Sequence, residues 1–287
     1  MNVSFIGLGI MGLPMAKHLY RAGCLYKVYN RTKAKADYFL ERGLEVSHTP
    51  KEAAVGANYI ITIVSNSSDV EEVILGENGV IHSASSGSTI IDMSSINPEV
   101  SKQISLRLSE KGIHFIDAPV SGGEQGAIAG KLAIMVGGRK EVVKDAEKVL
   151  KVMGSPVHVG SVGSGGYAKL ANQIMVALHL QAMSEAFTLA KKANLDAEQL
   201  YHAVRNGLAG SHVLDQKISN VVEGEYDPGF KVALHLKDLN NVLDAANELD
   251  VHLPITNEIQ RFMNEMNREG MGELDHSSLY TYLQKNQ

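Results

Sequence analysis

The chain has 287 residues, of which 44% are hydrophobic and 21% charged, which is typical of a globular protein and sufficient for two domains. The net charge of -5 argues against a nucleic acid partner, and the single cysteine, Cys24, excludes a disulfide framework and a cysteine-rich zinc site. There is no basic leader, no run of about eighteen apolar residues and no familiar histidine spacing, so we expect a cytoplasmic protein without a membrane span or catalytic metal.

The N-terminal segment has the pattern of a strand, a tight turn and a helix. A short apolar run, Val3–Ile6, leads directly into the glycine-rich turn Gly7-Leu8-Gly9-Ile10-Met11-Gly12. The first glycine of such a turn permits the tight bend, the second lets the backbone approach a pyrophosphate, and the third lets helix and strand pack closely. These six residues are therefore predicted to bind dinucleotide phosphates at the start of the helix.

The segment after the second predicted strand, residues 26–29, bears on cofactor choice. It reads Asn30-Arg31-Thr32, where an acid would hydrogen-bond the ribose 2′-hydroxyl of NAD. A carboxylate would repel the 2′-phosphate of NADP, whereas a guanidinium pairs with it. We therefore predict that these three residues bind the cofactor and that NADP is preferred over NAD. The alternative is that Arg31 only begins a solvated helix.

Five further strands are predicted at residues 59–64, 89–93, 113–116, 132–136 and 156–159, and the first three lead into small polar residues. Ligands of open parallel sheets bind at the carboxyl ends of the strands. The backbone N–H groups of Ser121, Gly122 and Gly123, which follow the third of these strands, could hold a substrate carboxylate. An isolated tripeptide of this kind is more commonly only a turn.

Strand patterns end after the glycine- and serine-rich run at 160–166. The sequence thus predicts a Rossmann-type, doubly wound α/β domain over residues 1–162 and an all-helical domain over 163–287 for substrate binding and dimerisation. Asp, Glu, Lys and Arg are absent from Leu170 to Ser184, so the helix there is expected to be buried on nearly all sides. Further helices are expected up to 204, up to about 223, from 230 and from 254, the first with Asp196 and Gln199 as a capping box.

Two polar clusters lie in this helical half. Lys169, Asn172 and Gln173 fall close together at the start of the long helix and require partners. The ordinary alternative is a lysine in solvent and amides that cap their neighbours. Lys237 and Asp238 stand among leucines and are expected to pair, either as a structural pair or with Lys237 in a ligand-binding cleft.

Four segments together resemble the β-hydroxyacid dehydrogenase family, the relatives of 3-hydroxyisobutyrate dehydrogenase. They lie at residues 5–12, 117–123, 166–172 and 237–239, occur in the family's order and span almost the whole chain. The resemblance implies a Rossmann domain and a helical domain joined by a long helix, and an NAD(P)-dependent oxidoreductase for a small carboxylated aldehyde or β-hydroxyacid. Residues 169–173 and 207–217 look most like the tartronate semialdehyde reductases. The alternatives within the family are 3-hydroxyisobutyrate dehydrogenases and glyoxylate or succinic semialdehyde reductases.

The resemblance also implies residue roles. Lys169 would be the catalytic acid/base with Asn172 beside it, and it would donate a proton to the oxygen that becomes negative during reduction. Substrate would be bound by Ser121, Gly122, Gly123 and Lys237. The cofactor would be contacted by Val64, Ser65, Ser95, Lys237 and Asp238.

Three residues depart from the family pattern: His18 replaces an asparagine, Ser65 a proline and Lys131 a threonine. The first two concern the cofactor side. We expect a homodimer or homotetramer from the apolar second half. A different class, a non-catalytic NADP-sensing module, could use the same glycine-rich turn but would not need Lys169 and its amides. A methyltransferase is disfavoured because Asn30 stands where an acid is expected.

Overall fold

A computed structural model describes residues 1–285, so residues 286 and 287 of the predicted second domain lie outside the described range. The chain divides into two compact units, Met1–Lys169 and Leu170–Gln287. The first is a sheet covered by helices and the second is helical, which confirms the predicted fold class.

The strands of the first unit are β1 (Val3–Ile6), β2 (Leu25–Tyr29), β3 (Glu45–Val46), β4 (Tyr59–Thr62), β5 (Thr89–Asp92), β6 (His114–Asp117), β7 (Val120–Ser121), β8 (Leu132–Gly137) and β9 (Gly154–Gly160). Within the described residues they form one sheet in the order β3-β2-β1-β4-β5-β6-β8-β7, with β9 beside β8. The strands from β3 to β6 pair in parallel, and β8 runs antiparallel to β6 and β7. The sequence did not predict β3 and β7, because two residues are too few to show a period.

Seven helices of the first unit cover this sheet: α1 (Gly12–Arg21), α2 (Asp37–Leu40), α3 (Pro50–Ala54), α4 (Ser67–Leu75), α5 (Pro98–Ser109), α6 (Gly123–Ala129) and α7 (Lys140–Leu150). Neighbouring strand residues belong to different apolar clusters, as Ile60 and Ile61 do, because side chains alternate between the two faces of a strand. Both faces are therefore buried. This explains why the strands appear in the sequence as continuous apolar runs.

The long helix α8 (Ser164–Lys192) contains the division between the two units. Its 29 residues span about 43 Å at 1.5 Å per residue. The expectation that its apolar part is buried on nearly all sides is wrong for the single chain. Met175 is 57% exposed, because one face of the helix stays open to solvent.

The second unit continues with α9 (Ala197–Val204), α10 (His212–Glu223), α11 (Val232–Glu248), α12 (Pro254–Met266) and α13 (Leu279–Lys285). Its apolar core includes the fully buried residues Leu180, Leu239 and Met263. The predicted cap of α9 is confirmed, since Asp196 Oδ1 accepts a hydrogen bond from the backbone N–H of Gln199 at 2.8 Å. None of the helices described between residues 1 and 285 combines the length and hydropathy needed to cross a bilayer.

Candidate active site

The glycine-rich turn lies between β1 and α1, and its three glycines have different surroundings. A Cβ atom on Gly7 would overlap the carbonyl oxygen of Ile63, and Gly7 has a φ of +100°. A Cβ on Gly12 would overlap the carbonyl oxygen of Gly7, whereas a Cβ on Gly9 would meet no atom within 4 Å. The first and third glycines thus permit close packing, and the second leaves open space beside the backbone.

The start of α1 is suited to an anion. Its first turn contains no acidic residue, and Met11 at the N-cap position makes no side-chain capping hydrogen bond. The first N–H groups of a helix lack intrahelical acceptors and carry the positive end of the helix dipole. With the open space at Gly9, this turn fits a dinucleotide pyrophosphate.

The segment Asn30-Arg31-Thr32 stands next to this turn. Asn30 Oδ1 accepts a hydrogen bond from the backbone N–H of Leu8 at 2.8 Å, and its Nδ2 donates to the Thr32 carbonyl at 2.8 Å. The Asn30 side chain therefore fixes the glycine-rich turn against the end of β2. The Arg31 side chain is 86% exposed, and its guanidinium forms an ion pair with a carboxylate oxygen of Asp69 at 3.6 Å.

A buried carboxylate organises the ends of β4 and β5. Asp92 Oδ1 accepts hydrogen bonds from Thr62 Oγ1 at 2.8 Å and from Ser94 Oγ at 2.7 Å. Ser94 Oγ in turn accepts from the backbone N–H of Val64 at 2.9 Å. Asp92 thereby holds the loop that contains Val64 and Ser65, while Ser95 follows Ser94 directly.

The pKa of Asp92 is raised. Its side chain is completely buried, and this desolvation raises its pKa from 3.8 to about 6, against the opposing effect of the Ser94 and Thr62 hydrogen bonds. The neighbouring carboxylate of Asp117 raises the pKa further. Asp92 and Asp117 are paired residues of β5 and β6, so two buried acids lie side by side at the carboxyl edge of the sheet.

The segment Ser121-Gly122-Gly123 joins β7 to α6. Ser121 is half-buried, and both glycines are exposed, with φ values of +133° at Gly122 and +62° at Gly123. The other end of α6 is attached to α1, where His18 Nε2 lies 3.1 Å from the carbonyl oxygen of Ala127 and 2.9 Å from that of Ile128. His18, which departs from the family pattern, thus connects α1, the helix after the glycine-rich turn, to α6.

Lys169 is the last residue of the first unit and lies in the second turn of α8, 8% exposed. The first turn of α8 is fixed by Asp117, whose carboxylate accepts hydrogen bonds from the backbone N–H groups of Gly163 and Gly166, both at 2.8 Å. Burial raises the pKa of Asp117, and these N–H groups act in the opposite direction.

Four polar side chains of the second unit form a hydrogen-bonded chain between α8 and α11. Asn172 Nδ2 donates to Gln173 Oε1 at 2.8 Å, and Gln173 Nε2 donates to Asp238 Oδ2 at 2.7 Å. Asp238 Oδ1 lies 3.1 Å from Lys237 Nζ. The expected pairing of Lys237 with Asp238 is confirmed, and Gln173 links that pair to Asn172.

The sequence reasoning missed Asp92 and Asp117 as parts of the site. Each is an acid at the end of an otherwise apolar strand, and that position could have identified both. Across residues 1–285, no group of three or more His, Cys, Asp and Glu side chains could hold a metal ion.

A parallel sheet with an anion-binding glycine-rich turn at its first strand defines the nucleotide-binding part of an NAD(P)-dependent oxidoreductase. Residues 2–163 match the family model of the NAD binding domain of 6-phosphogluconate dehydrogenase. Residues 163–283 match a second family model, described as NAD-binding of NADP-dependent 3-hydroxyisobutyrate dehydrogenase. The chain belongs to the β-hydroxyacid dehydrogenase family, as the sequence resemblance implied.

Several members of this family are similar along almost the entire chain. The 2-hydroxy-3-oxopropionate reductase of Escherichia coli (strain K12) is 40% identical over 99% of this chain and 97% of its own length. The mitochondrial 3-hydroxyisobutyrate dehydrogenase of Mus musculus is 34% identical over 99% of this chain and 87% of its own length. A solved structure of 3-hydroxyisobutyrate dehydrogenase from Mycobacterium tuberculosis with L-serine has a TM-score of 0.89 and 28% identity, and 98% of each chain is covered.

Proposed function

We propose that this chain is a tartronate semialdehyde reductase, which reduces 2-hydroxy-3-oxopropionate to glycerate with NADPH. The observation that carries the proposal is the 40% identity with the Escherichia coli enzyme of that activity over 99% of the chain. A second candidate is 3-hydroxyisobutyrate dehydrogenase, favoured by the 34% identity with the mouse enzyme. A non-catalytic NADP sensor is set aside because the family consists of NAD(P)-dependent oxidoreductases.

In this proposal the N-terminal domain holds the cofactor, which when bound supplies the hydride for the aldehyde carbon. The exposed glycines of Ser121-Gly122-Gly123 present backbone N–H groups for the substrate carboxylate. A carboxylate held at one end fixes the orientation of the aldehyde at the other end. This agrees with the shared chemistry of the candidate substrates, which are small aldehydes with a carboxylate.

Lys169 is proposed as the proton donor. As hydride reaches the aldehyde carbon, negative charge develops on the oxygen, and an ammonium group both stabilises that charge and donates a proton to it. Its position next to the rigidly held first turn of α8 supports this role. Asn172, Lys237 and Asp238 are proposed as substrate and cofactor residues on the strength of the family resemblance, and their hydrogen-bonded chain supports a shared role.

We propose NADP as the preferred cofactor because of Arg31. Its guanidinium is exposed at the end of the segment that follows β2, and the Asn30 side chain is occupied in holding the glycine-rich turn. A planar guanidinium can form two hydrogen bonds with a 2′-phosphate, and the 2′-hydroxyl of NAD offers no such charge.

Self-association through α8 completes the proposal. The exposed residues of this helix recur every three or four positions, so they lie along one face. Besides the charged residues Glu185, Lys191 and Lys192, the exposed residues are Ala171, Met175, His179, Ala182, Ala186 and Leu189. Small and apolar side chains in such a stripe suit close packing against another helix, which agrees with a homodimer or homotetramer.

The test of the function is a substrate panel measured with both cofactors. Purified protein is mixed with NADPH or NADH and with one of four substrates. These are tartronate semialdehyde, methylmalonate semialdehyde, succinic semialdehyde and glyoxylate. Oxidation of the cofactor is followed by its absorbance. We expect the highest kcat/KM for tartronate semialdehyde with NADPH. A higher value for methylmalonate semialdehyde would favour the second candidate, and no turnover of any of them would refute the proposal.

The test of Lys169 is the variant Lys169→Met, which keeps an unbranched chain at the buried position. Loss of a general acid should lower kcat by about 10²- to 10⁴-fold while NADPH binding persists. The matched control is Lys192→Ala, an exposed lysine at the other end of the same helix, which should retain wild-type kcat. Wild-type turnover in Lys169→Met would refute the assignment.

A further inference from the structure

The joint between β6 and α8 is built around one carboxylate. Asp117 is 1% exposed, and its two oxygens accept from different N–H groups, Oδ1 from Gly163 and Oδ2 from Gly166. The N–H groups in the first turn of a helix have no acceptors within the helix. Asp117 therefore caps α8 from another element of the fold, and a negative charge there also complements the helix dipole.

The glycines of this joint are required by close approach. A Cβ on Gly165 would lie 2.5 Å from the carbonyl oxygens of Asp117 and Met135. A Cβ on Gly137 of β8 would overlap Asp117 Oδ1 and would lie 2.7 Å from the backbone nitrogen of Gly165. Strands β6 and β8 can thus meet the helix only where side chains are absent. The glycine-rich run at 160–166, which the sequence predicts as a domain boundary, is thus packed closely against β6 and β8.

A second contact fixes the same turn from α5. The Tyr167 hydroxyl donates to Glu99 Oε1 at 3.0 Å, and Glu99 also binds Lys102 Nζ at 2.5 Å. A Cβ on Gly166 would lie 3.1 Å from Pro98 Cγ, so the turn and the start of α5 are nearly in contact. With contacts to β6 and α5, the first turn of α8 can neither rotate nor slide freely.

We propose that Asp117 is a positioning residue for Lys169. Lys169 follows Gly166 by three residues, so the rigid first turn determines where the lysine side chain begins. The chain that leaves β6 at Asp117 also reaches Ser121-Gly122-Gly123 within six residues. One strand end therefore sets the place of the proton donor and of the segment proposed to hold the substrate carboxylate. This inference rests on the proposed function, in which Lys169 donates the proton.

The test is a double-mutant cycle with Asp117→Asn and Lys169→Met. Asparagine keeps the volume and one acceptor oxygen but directs an NH₂ group at one of the backbone N–H donors. We expect kcat per NADPH-binding site to fall about 10- to 100-fold, since misplacement by about 1 Å has effects of this size. The dissociation constant of NADPH should change by less than about twofold. Counting active sites by NADPH binding removes any contribution from unfolded protein.

The double variant distinguishes positioning from other roles. If Asp117 acts through Lys169, the double variant should be no slower than Lys169→Met alone. The inference would be overturned if the double variant lost kcat by the product of the two single losses. It would also be overturned if Asp117→Asn kept a normal kcat while Lys169→Met was slow. Both outcomes would leave the proposed function intact. Wild-type turnover in Lys169→Met would instead reject the proposed role of Lys169 as the proton donor, and absence of turnover in the wild type would reject the proposed function.

Two further variants complete the experiment. Asp196→Ala removes the side-chain cap of α9, and it should lower the melting temperature without changing kcat. If Asp117→Asn does not fold, Gly166→Ala decides the question, because its Cβ presses on Pro98 while all N–H groups remain. A loss of kcat that disappears in the Lys169→Met background supports positioning, and an unchanged kcat contradicts it.

Discussion

The buried carboxylate of Asp92 should make the stability of the protein depend on pH in a defined direction. The pKa of Asp92 is raised from 3.8 to about 6 in the folded protein. A raised pKa means that the folded state binds the proton more tightly than the unfolded chain. The resulting stabilisation is complete below pH 3.8 and is lost as the pH rises through 6. The variant Asp92→Asn has no titratable group at this position, so it should not show this loss of stability.

The size of the effect follows from the two pKa values. At pH 5 the protonated form of Asp92 exceeds the ionised form about tenfold in the folded protein, whereas Asp92 is mostly ionised in the unfolded chain. A factor of ten corresponds to about 1.4 kcal/mol. At pH 8 the contribution is close to zero. The free energy of unfolding of the wild type should therefore fall by about 1.4 kcal/mol more than that of Asp92→Asn between pH 5 and pH 8.

Urea unfolding at both pH values measures this difference, followed by circular dichroism because the chain contains no tryptophan. Titrations of groups distant from Asp92 contribute in both proteins and cancel in the comparison. One of these groups is His276. Burial and the neighbouring His235 hold the pKa of His276 well below 6.5, so its protonation destabilises the fold as the pH falls. Asparagine can retain the acceptor contacts of Oδ1, so the pH slope and not the absolute stability decides. Parallel pH dependences in the two proteins would refute the reasoning.

Two predictions concern the cofactor. Gly7→Ala should abolish NADPH binding and destabilise the protein by more than about 1 kcal/mol, because the methyl group would overlap the Ile63 carbonyl oxygen and φ is positive. Thermal shift with and without NADPH measures both effects, and Gly23→Ala, where φ is also positive (+69°) but no atom lies within 4 Å of the added Cβ, is the control. Arg31→Ala should raise the KM for NADPH about tenfold and leave the KM for NADH unchanged, as expected for a lost charge-assisted hydrogen bond. Equal changes with both cofactors would contradict a contact with the 2′-phosphate.

The fold could be predicted from the sequence where local patterns carry the information. The turn from Gly7 to Gly12 and the apolar runs at β1, β4 and β5 identify a parallel sheet because its strands are buried on both faces. The cap of α9 was predicted because Asp196 and Gln199 are three residues apart. In each of these cases the interacting residues are neighbours in the chain or repeat at a fixed period.

Contacts between distant segments could not be predicted in the same way. Asp117 and Gly166 are 49 residues apart, and the sequence alone does not show that a strand end and a helix start meet. The composition of the run from 160 to 166 predicts a domain boundary and gives no sign of its contact with Asp117. The open face of α8 at Met175 was missed for a related reason, since hydrophobicity indicates that a residue favours burial but does not identify what covers it.

The joint at Asp117 limits how the chain could be divided or recombined with related proteins. The two family models meet at residue 163, and a fragment ending there would lose the N–H group of Gly166 and leave a buried carboxylate half satisfied. A nucleotide-binding fragment that keeps this cap must continue into α8, and the compact unit itself ends at Lys169. An exchange of helical domains between family members that keeps this cap would therefore leave the proposed proton donor with the nucleotide-binding part.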